Sequence, residues 1–196
     1  MGESENKITF GVKNLHIATF KTEGDVITYD VPVKVLGTTQ ITLNAVGEEQ
    51  QVYADDSIYY TISGSASYEG EIANFSISDD ILMKVFGHKK DKNGAILETD
   101  DDKKKPVAIM WETSGDVKNK RMILYNVQLK KPNETFSTKT ENTNAEPKTM
   151  RFTATPRSTD HLLKTIIGNT SENADQAKAY KDFFTKVYEP EMIANV

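Results

Sequence analysis

Along most of the chain apolar and polar residues alternate with a period of two, the pattern of strands with one buried face. Ile8, Phe10 and Val12 share one phase, and Leu15 and Ile17 continue in the opposite one. A flip at Lys13-Asn14 predicts a bulge or bend, because a one-residue slip turns every later side chain to the other face. Beyond the turn at Glu23-Gly24-Asp25, the residues Ile27, Tyr29, Val31, Val33 and Val35 predict a strand with one apolar face. Pro32 has no N–H to give a ladder, so this strand is expected at an edge, or bent. Gly37 turns the chain into Thr39 to Val46, with Ile41, Leu43 and Ala45 facing in. Ile58, Tyr60 and Ile62 begin another strand, and Ala66 to Ile77 forms a longer one whose phase shifts near Ala73. Val107, Ile109 and Trp111, then Ile123, Tyr125, Val127 and Leu129, predict a hairpin joined through Ser114-Gly115-Asp116. Met150, Phe152 and Ala154 mark a last strand, ended by Pro156.

Two stretches break the alternation. Ser78 to Gly87 carries helix signals at both ends: Ser78 as N-cap, Asp79 and Asp80 at the positive end of the dipole, and Gly87 for a left-handed stop. Ile81, Leu82, Val85 and Phe86 give it one apolar face. A helix this short is marginal in water, so it is expected to plug one face or end of the surrounding strands. Asn173 to Glu189 predicts a second helix. Its apolar stripe is Ala177, Tyr180, Phe184 and Val187, widened by Phe183 and Tyr188 and stopped by Pro190.

The expected class is therefore α+β, mainly β: an antiparallel β-sandwich with a short flanking helix and a C-terminal helix. Residues 1–6 form a polar tail, 7–157 the β-sandwich domain with the inserted helix 78–87, and 158–196 a C-terminal extension with a helix over about 174–188. At 196 residues the chain is long enough for one domain with a real core. The net charge of −5 disfavours general nucleic-acid binding, which needs a basic surface. With no cysteine there is neither a disulfide nor a thiolate metal site. Met1-Gly2-Glu3-Ser4-Glu5 is polar and acidic, unlike a secretion signal, and no apolar run approaches membrane-spanning length.

Little of the chain points to chemistry. His16, His88 and His161 have no partner at metal-ligand spacing. Asp91, Asn93 and Glu98 fail as a calcium loop, because Ala95 stands where an oxygen ligand is needed; Asn93-Gly94 predicts a tight hairpin instead. Glu69 and Glu71 share a strand face, but exposed strand carboxylates are ordinarily solvated. Neither a nucleophile elbow nor a phosphate-binding loop is present. Catalytic, cofactor-binding and metal-binding residues are accordingly assigned to none, and no enzyme activity is expected. Gly47 to Ser57 differs from its surroundings: Glu48, Glu49, Asp55 and Asp56 occur with no Lys or Arg, and Gln51, Val52 and Tyr53 interrupt them. It reads as a projecting hairpin or long loop.

Several pieces, in order, resemble the major tail proteins of long-tailed phages (siphophages) infecting Gram-positive bacteria. They are Asn6 to His16, Tyr53 to Tyr60, Tyr68 to Ile72 with the Asp-initiated helix ending at Gly87, Arg121 to Asn126, Phe152 to Arg157, and Phe183 to Pro190. The resemblance implies a β-sandwich tail tube subunit. Such subunits form stacked hexameric rings around a tape-measure protein, meet tail terminator and baseplate proteins at the tube ends, and let DNA pass without specific binding. It implies no cofactor and no membrane partner, and places the protein in the virion tail after synthesis in the host bacterial cytoplasm. For a stacked tube it makes Glu48, Glu49, Gln51, Val52, Tyr53, Asp55 and Asp56 the candidate inter-subunit arm, with His88 to Pro106 second. The alternative is a carbohydrate-binding or other ligand-binding β-sandwich module, with Tyr59, Tyr68 or Trp111 stacking on a sugar; Trp111, however, shares its strand face with Val107 and Ile109.

Overall fold

The computed structural model describes residues 10–47, 49–54, 56–63, 66–115, 118–135, 138, 146–169 and 174–191. Among them the order is β1 (Phe10–Glu23), β2 (Val26–Tyr29), β3 (Val33–Lys34), β4 (Thr38–Val46), β5 (Glu49–Ala54), β6 (Ser57–Ser63), β7 (Ser67–Asn74) and α1 (Asp79–Phe86). Then come β8 (Lys89–Lys90), β9 (Ile96–Leu97), β10 (Val107–Ser114), β11 (Arg121–Leu129), β12 (Lys148–Ala154), β13 (Lys164–Ile167) and α2 (Ala174–Asp182). The α+β, mainly β class is as the alternation predicts. One antiparallel sheet runs β2-β1-β10-β11-β12-β7-β4, with β3 added to β1 and β13 to β11. The sheet folds over its own interior, so that Gly11 and Val12 of β1 come to lie beside Thr39 to Ile41 of β4.

The expected phase flip in β1 is a bulge between Lys13 and His16, with Asn14 at φ 55°, a left-handed position that asparagine tolerates. It lets Val12, Leu15 and Ile17 all reach the same core. The predicted strand around Pro32 divides there into β2 and β3, and Val31 is exposed rather than facing in with its neighbours. The phase shift expected near Ala73 lies in the partner strand instead: β7 is regular, and β4 carries the irregularity between Thr38 and Gln40. The expected common face of Ile123, Tyr125, Val127 and Leu129 also fails. A bulge in β11 sends Ile123 and Tyr125 to one side and Leu124, Val127 and Leu129 to the other.

Two apolar clusters result. The larger is enclosed by the folded sheet and contains Ile72, Ile109, Trp111, Leu124, Met150 and Phe152. Helix α1 plugs it with Ile81, Val85 and Phe86. Gly87 ends the helix at φ 82°, its N–H donating to the Leu82 carbonyl. The Ser78 hydroxyl makes no capping bond; the Ser78 carbonyl takes the N–H groups of Ile81 and Leu82 instead. The smaller cluster covers the opposite face of β10 and β11: Ala108, Met110, Ile123 and Tyr125 meet Phe183 and Val187. Burial on both faces is why β10 reads as a continuous apolar run.

Helix α2 stops at Asp182, short of the predicted 188. The N–H of Phe183 turns back to the Tyr180 carbonyl and that of Thr185 to Asp182, which frees Phe183 and Val187 to enter the smaller cluster together. The region read as an extension also supplies β13, paired with the first half of β11.

Gly70 lies in β7 between β4 and β12, in register with Leu43 and Phe152. An added Cβ would lie 2.0 Å from the Thr42 carbonyl oxygen and 2.5 Å from Phe152 Cζ. Gly70→Ala is expected to cost about 1–3 kcal/mol, as overpacking does when backbone must yield. Urea denaturation checks this; an unchanged midpoint contradicts it.

Candidate assembly surfaces

Strands β5 and β6 stand apart from the main sheet as a two-stranded sheet of their own. They leave the body where Val46 of β4 pairs with Ser67 of β7. Val52 pairs with Tyr60 and Ala54 with Ser57, around a turn containing Asp56 at φ 57°. The stretch Gly47 to Ser57, read as a projecting hairpin or long loop by itself, supplies only the first strand and the turn, and the strand read separately from Ile58 is its second strand. Of the residues named for the arm, Glu49, Gln51 and Val52 lie on β5, Tyr53 and Asp56 are exposed, and Glu48 and Asp55 fall outside the described residues.

Ile58, Tyr59 and Tyr60 are consecutive and all exposed, Tyr59 by 77%. Neighbouring strand residues point to opposite faces, so both faces of the hairpin present apolar groups to solvent. A lone two-stranded hairpin is at best marginally stable in water. Adjoining exposed apolar residues of this kind make the hairpin a candidate interaction surface. Sequence reasoning missed these three residues as a set, since alternation alone credits Ile58 and Tyr60 with a buried face. Among the described residues the main sheet also has open margins, with β2 and β4 each at an end of its hydrogen-bonded path. An unpaired edge can take another strand.

A polar network fastens the C-terminal segment to the sheet. Arg157 is buried; its Nη1 donates to both carboxylate oxygens of Glu189 at 2.9 and 2.8 Å, and its Nε to Asp160 Oδ1 at 3.0 Å. Its guanidinium lies 4.7 Å from the Tyr125 ring centroid. Tyr125 Oη donates to the Tyr188 carbonyl at 2.9 Å, and burial pushes its phenol above the ordinary range. Burial likewise pushes Tyr29 up to about 12, and its hydroxyl donates to the Tyr125 carbonyl. Nearby, Arg121 Nε donates to Glu112 at 3.1 Å, its Nη1 to the Tyr180 carbonyl, and its plane covers the Tyr180 ring. His16 stacks on Phe184 at 4.5 Å, and burial lowers its pKa. It is a packed residue.

The hydrogen bond from Arg157 holds the Asp160 carboxyl below the usual range. For Glu112 burial acts upward, but hydrogen bonds from Lys13 and Asn14 and the charge of Arg121 outweigh it, again leaving a lowered value. A carboxyl depressed in the folded state adds stability that is present above its unfolded pKa and lost as pH falls through the folded one. The contacts of Asp160 with Arg157 and of Glu112 with Arg121 are therefore expected to be intact above about pH 5 and to weaken below about pH 4. Hydrogen exchange at the two pH values checks this. Protection should fall earlier at Leu162, whose N–H donates to the Asp160 carboxylate, than in β7; equal loss in both contradicts it.

The remaining candidates for chemistry stay apart. Among the described residues no group of three or more His, Asp or Glu is arranged to hold a metal ion. The His88 side chain is largely covered; its Nε2 lies 3.8 Å from both Glu98 and Asp102 and has no hydrogen-bond partner among the described residues. Asp91 closes the predicted tight hairpin, accepting the N–H groups of Asn93 and Ala95. Glu71 pairs with Arg151 at 2.9 Å. Trp111 is core, and the Tyr68 hydroxyl accepts from Lys164, whose ammonium covers its ring. Of the three aromatics considered for sugar stacking, only Tyr59 is freely presented. No helix among the described residues is long and apolar enough to cross a membrane.

No curated protein matches the chain in sequence. A family model described as phage tail tube protein matches residues 3–192, nearly the whole chain. The family's role is structural, and its members self-assemble into the tube of the virion tail. A mainly β subunit with open sheet margins and an apolar projecting hairpin suits that role, and the chain belongs to the phage tail tube protein family.

Proposed function

We propose that this chain forms hexameric rings that stack into the tail tube of a siphophage, around a tape-measure protein, leaving a conduit through which DNA is later ejected. The hairpin β5–β6 is the inter-subunit arm, with Glu48, Glu49, Gln51, Val52, Tyr53, Asp55 and Asp56 at or beside the contact. The observation that carries this reading is that the hairpin pairs with itself and presents Ile58, Tyr59 and Tyr60 to solvent. A ring or stack repeats one head-to-tail contact, which needs two different complementary surfaces per subunit. Open strand edges provide joints within a ring. A net charge of −5 favours a wall that repels phosphate and lets DNA slide. Tail terminator and baseplate proteins cap the two tube ends. The chain is made in the host bacterial cytoplasm and ends in the virion.

Negative-stain microscopy of the purified protein over a concentration series tests this. Rings with six-fold end views, or hollow tubes, are expected. Dispersed monomers at every concentration, even beside the tape-measure protein, overturn the proposal.

A further inference from the structure

A groove of about 300 Å³ opens beside α1, with Val31, Val33, Ile81 and Val85 along its apolar lining and Lys84 and Lys105 at its rim. Among the described residues neither lysine has an ion-pair partner. The Asp30 carboxylate that also borders it accepts the Thr19 hydroxyl. The space suits an aromatic side chain rather than a large ligand. We infer that this groove receives the β5–β6 hairpin of a second copy of the chain, with an aromatic side chain of the Ile58 to Tyr60 patch on its apolar lining and the hairpin's carboxylates against Lys84 and Lys105. The inference rests on the hairpin being the inter-subunit arm.

Charge selects this acceptor over the larger groove beside α2, and over the groove of about 470 Å³ across β4, β7 and β12, where Glu69 and Glu71 stand against Lys130 and Arg151. The segment from Gly47 to Ser57 carries four carboxylates and no Lys or Arg. The groove beside α2, about 490 Å³, is bordered by Asp175, Asp182, Glu189 and Glu191 against Lys178 and Lys186, so it repels an acidic hairpin. The groove beside α1 offers the opposite sign, and matched potentials fix register and suppress wrong partners. An aromatic anchor in a desolvated pocket, ringed by polar contacts, is the usual arrangement of an interface hot spot. Donor and acceptor also leave the body at different places. The hairpin joins the Ser67 end of β7 and α1 follows from its Asn74 end, about 25 Å apart along an eight-residue strand. Two distinct surfaces give the heterologous contact that repeats along a tube.

The chain has no cysteine, so introduced thiols are the only ones. Tyr59→Cys with Val31→Cys, assembled and treated with a short bismaleimide, is expected to give a covalent ladder of copies. Tyr59→Cys with Ala179→Cys, which places the second thiol at the α2 groove, is expected to give none. A ladder from the second pair alone, or from neither, overturns the inference. Independently, Lys84→Glu with Lys105→Glu should raise the concentration needed for assembly at least tenfold while circular dichroism and Tm stay those of the folded subunit. Asp55→Lys with Asp56→Lys should restore it. If the lysine variant assembles normally while removal of the hairpin abolishes tubes, the groove assignment is wrong and the arm stands; if removal of the hairpin leaves assembly intact, both fall.

Discussion

Replacing residues 47–66 by Asn-Gly is expected to abolish tube formation and leave a folded subunit. The hairpin makes its strand pairs with itself, so little of the main core depends on it. Val46 and Ser67 are paired partners, and a two-residue Asn-Gly turn is the connection that fits such a pair. The body should therefore keep its Tm within a few degrees. Assembly should fail outright, because a repeating contact that loses one of its two surfaces cannot propagate in either direction. Sedimentation velocity separates the outcomes: a single slow species at concentrations where the unaltered chain polymerises is expected. Tubes of normal length contradict the arm assignment, and loss of the near-UV signal of a packed core contradicts the claim that the hairpin is separate from it.

The second large effect is in the core. Phe86→Ala is expected to destabilise the subunit by about 3–5 kcal/mol, the range for emptying a phenyl site in a core that cannot collapse. Phe86 is fully buried and is the last residue of a helix of eight, too short to persist alone. Its loss removes the largest side chain that α1 places in the cluster. The effect should extend to the following loop, because the Lys105 N–H donates to the Val85 carbonyl. Urea unfolding measures it, with hydrogen exchange showing α1 opening first. A loss below about 1 kcal/mol would mean that α1 lies on the surface of the sheet and does not plug it.

The elements that were legible in the sequence are those whose signals are local. The bulge at Asn14 shows as a phase flip because Val12, Leu15 and Ile17 are separated by plainly polar residues. Helix α1 shows because its acidic first turn, apolar face and Gly87 agree. The bulge in β11 is hidden because Met122, Ile123, Leu124 and Tyr125 are all apolar or aromatic, so no phase can be read through them. The end of α2 is hidden for a related reason: Phe183, Phe184, Val187 and Tyr188 keep helical spacing after the helix has stopped, and a tertiary cluster decides their conformation.

The Arg157 fastening joins residues 32 positions apart, and no spacing rule connects Arg157 to Glu189. For the assembly surface, the acidic stretch and the strand after it were visible, so the projection was foreseen. That Tyr59 and both its neighbours face solvent was not, because a strand with Ile58, Tyr60 and Ile62 on one side looks like any half-buried strand until its isolation from the sheet is known.

Cryo-electron microscopy of the assembled polymer, at a resolution that traces the β5–β6 hairpin, is the most direct measurement. Density for the hairpin seated on the next copy, its carboxylate-bearing turn beside Lys84 and Lys105, is the expected result. A hairpin standing free in solvent on a tube held together elsewhere would contradict it.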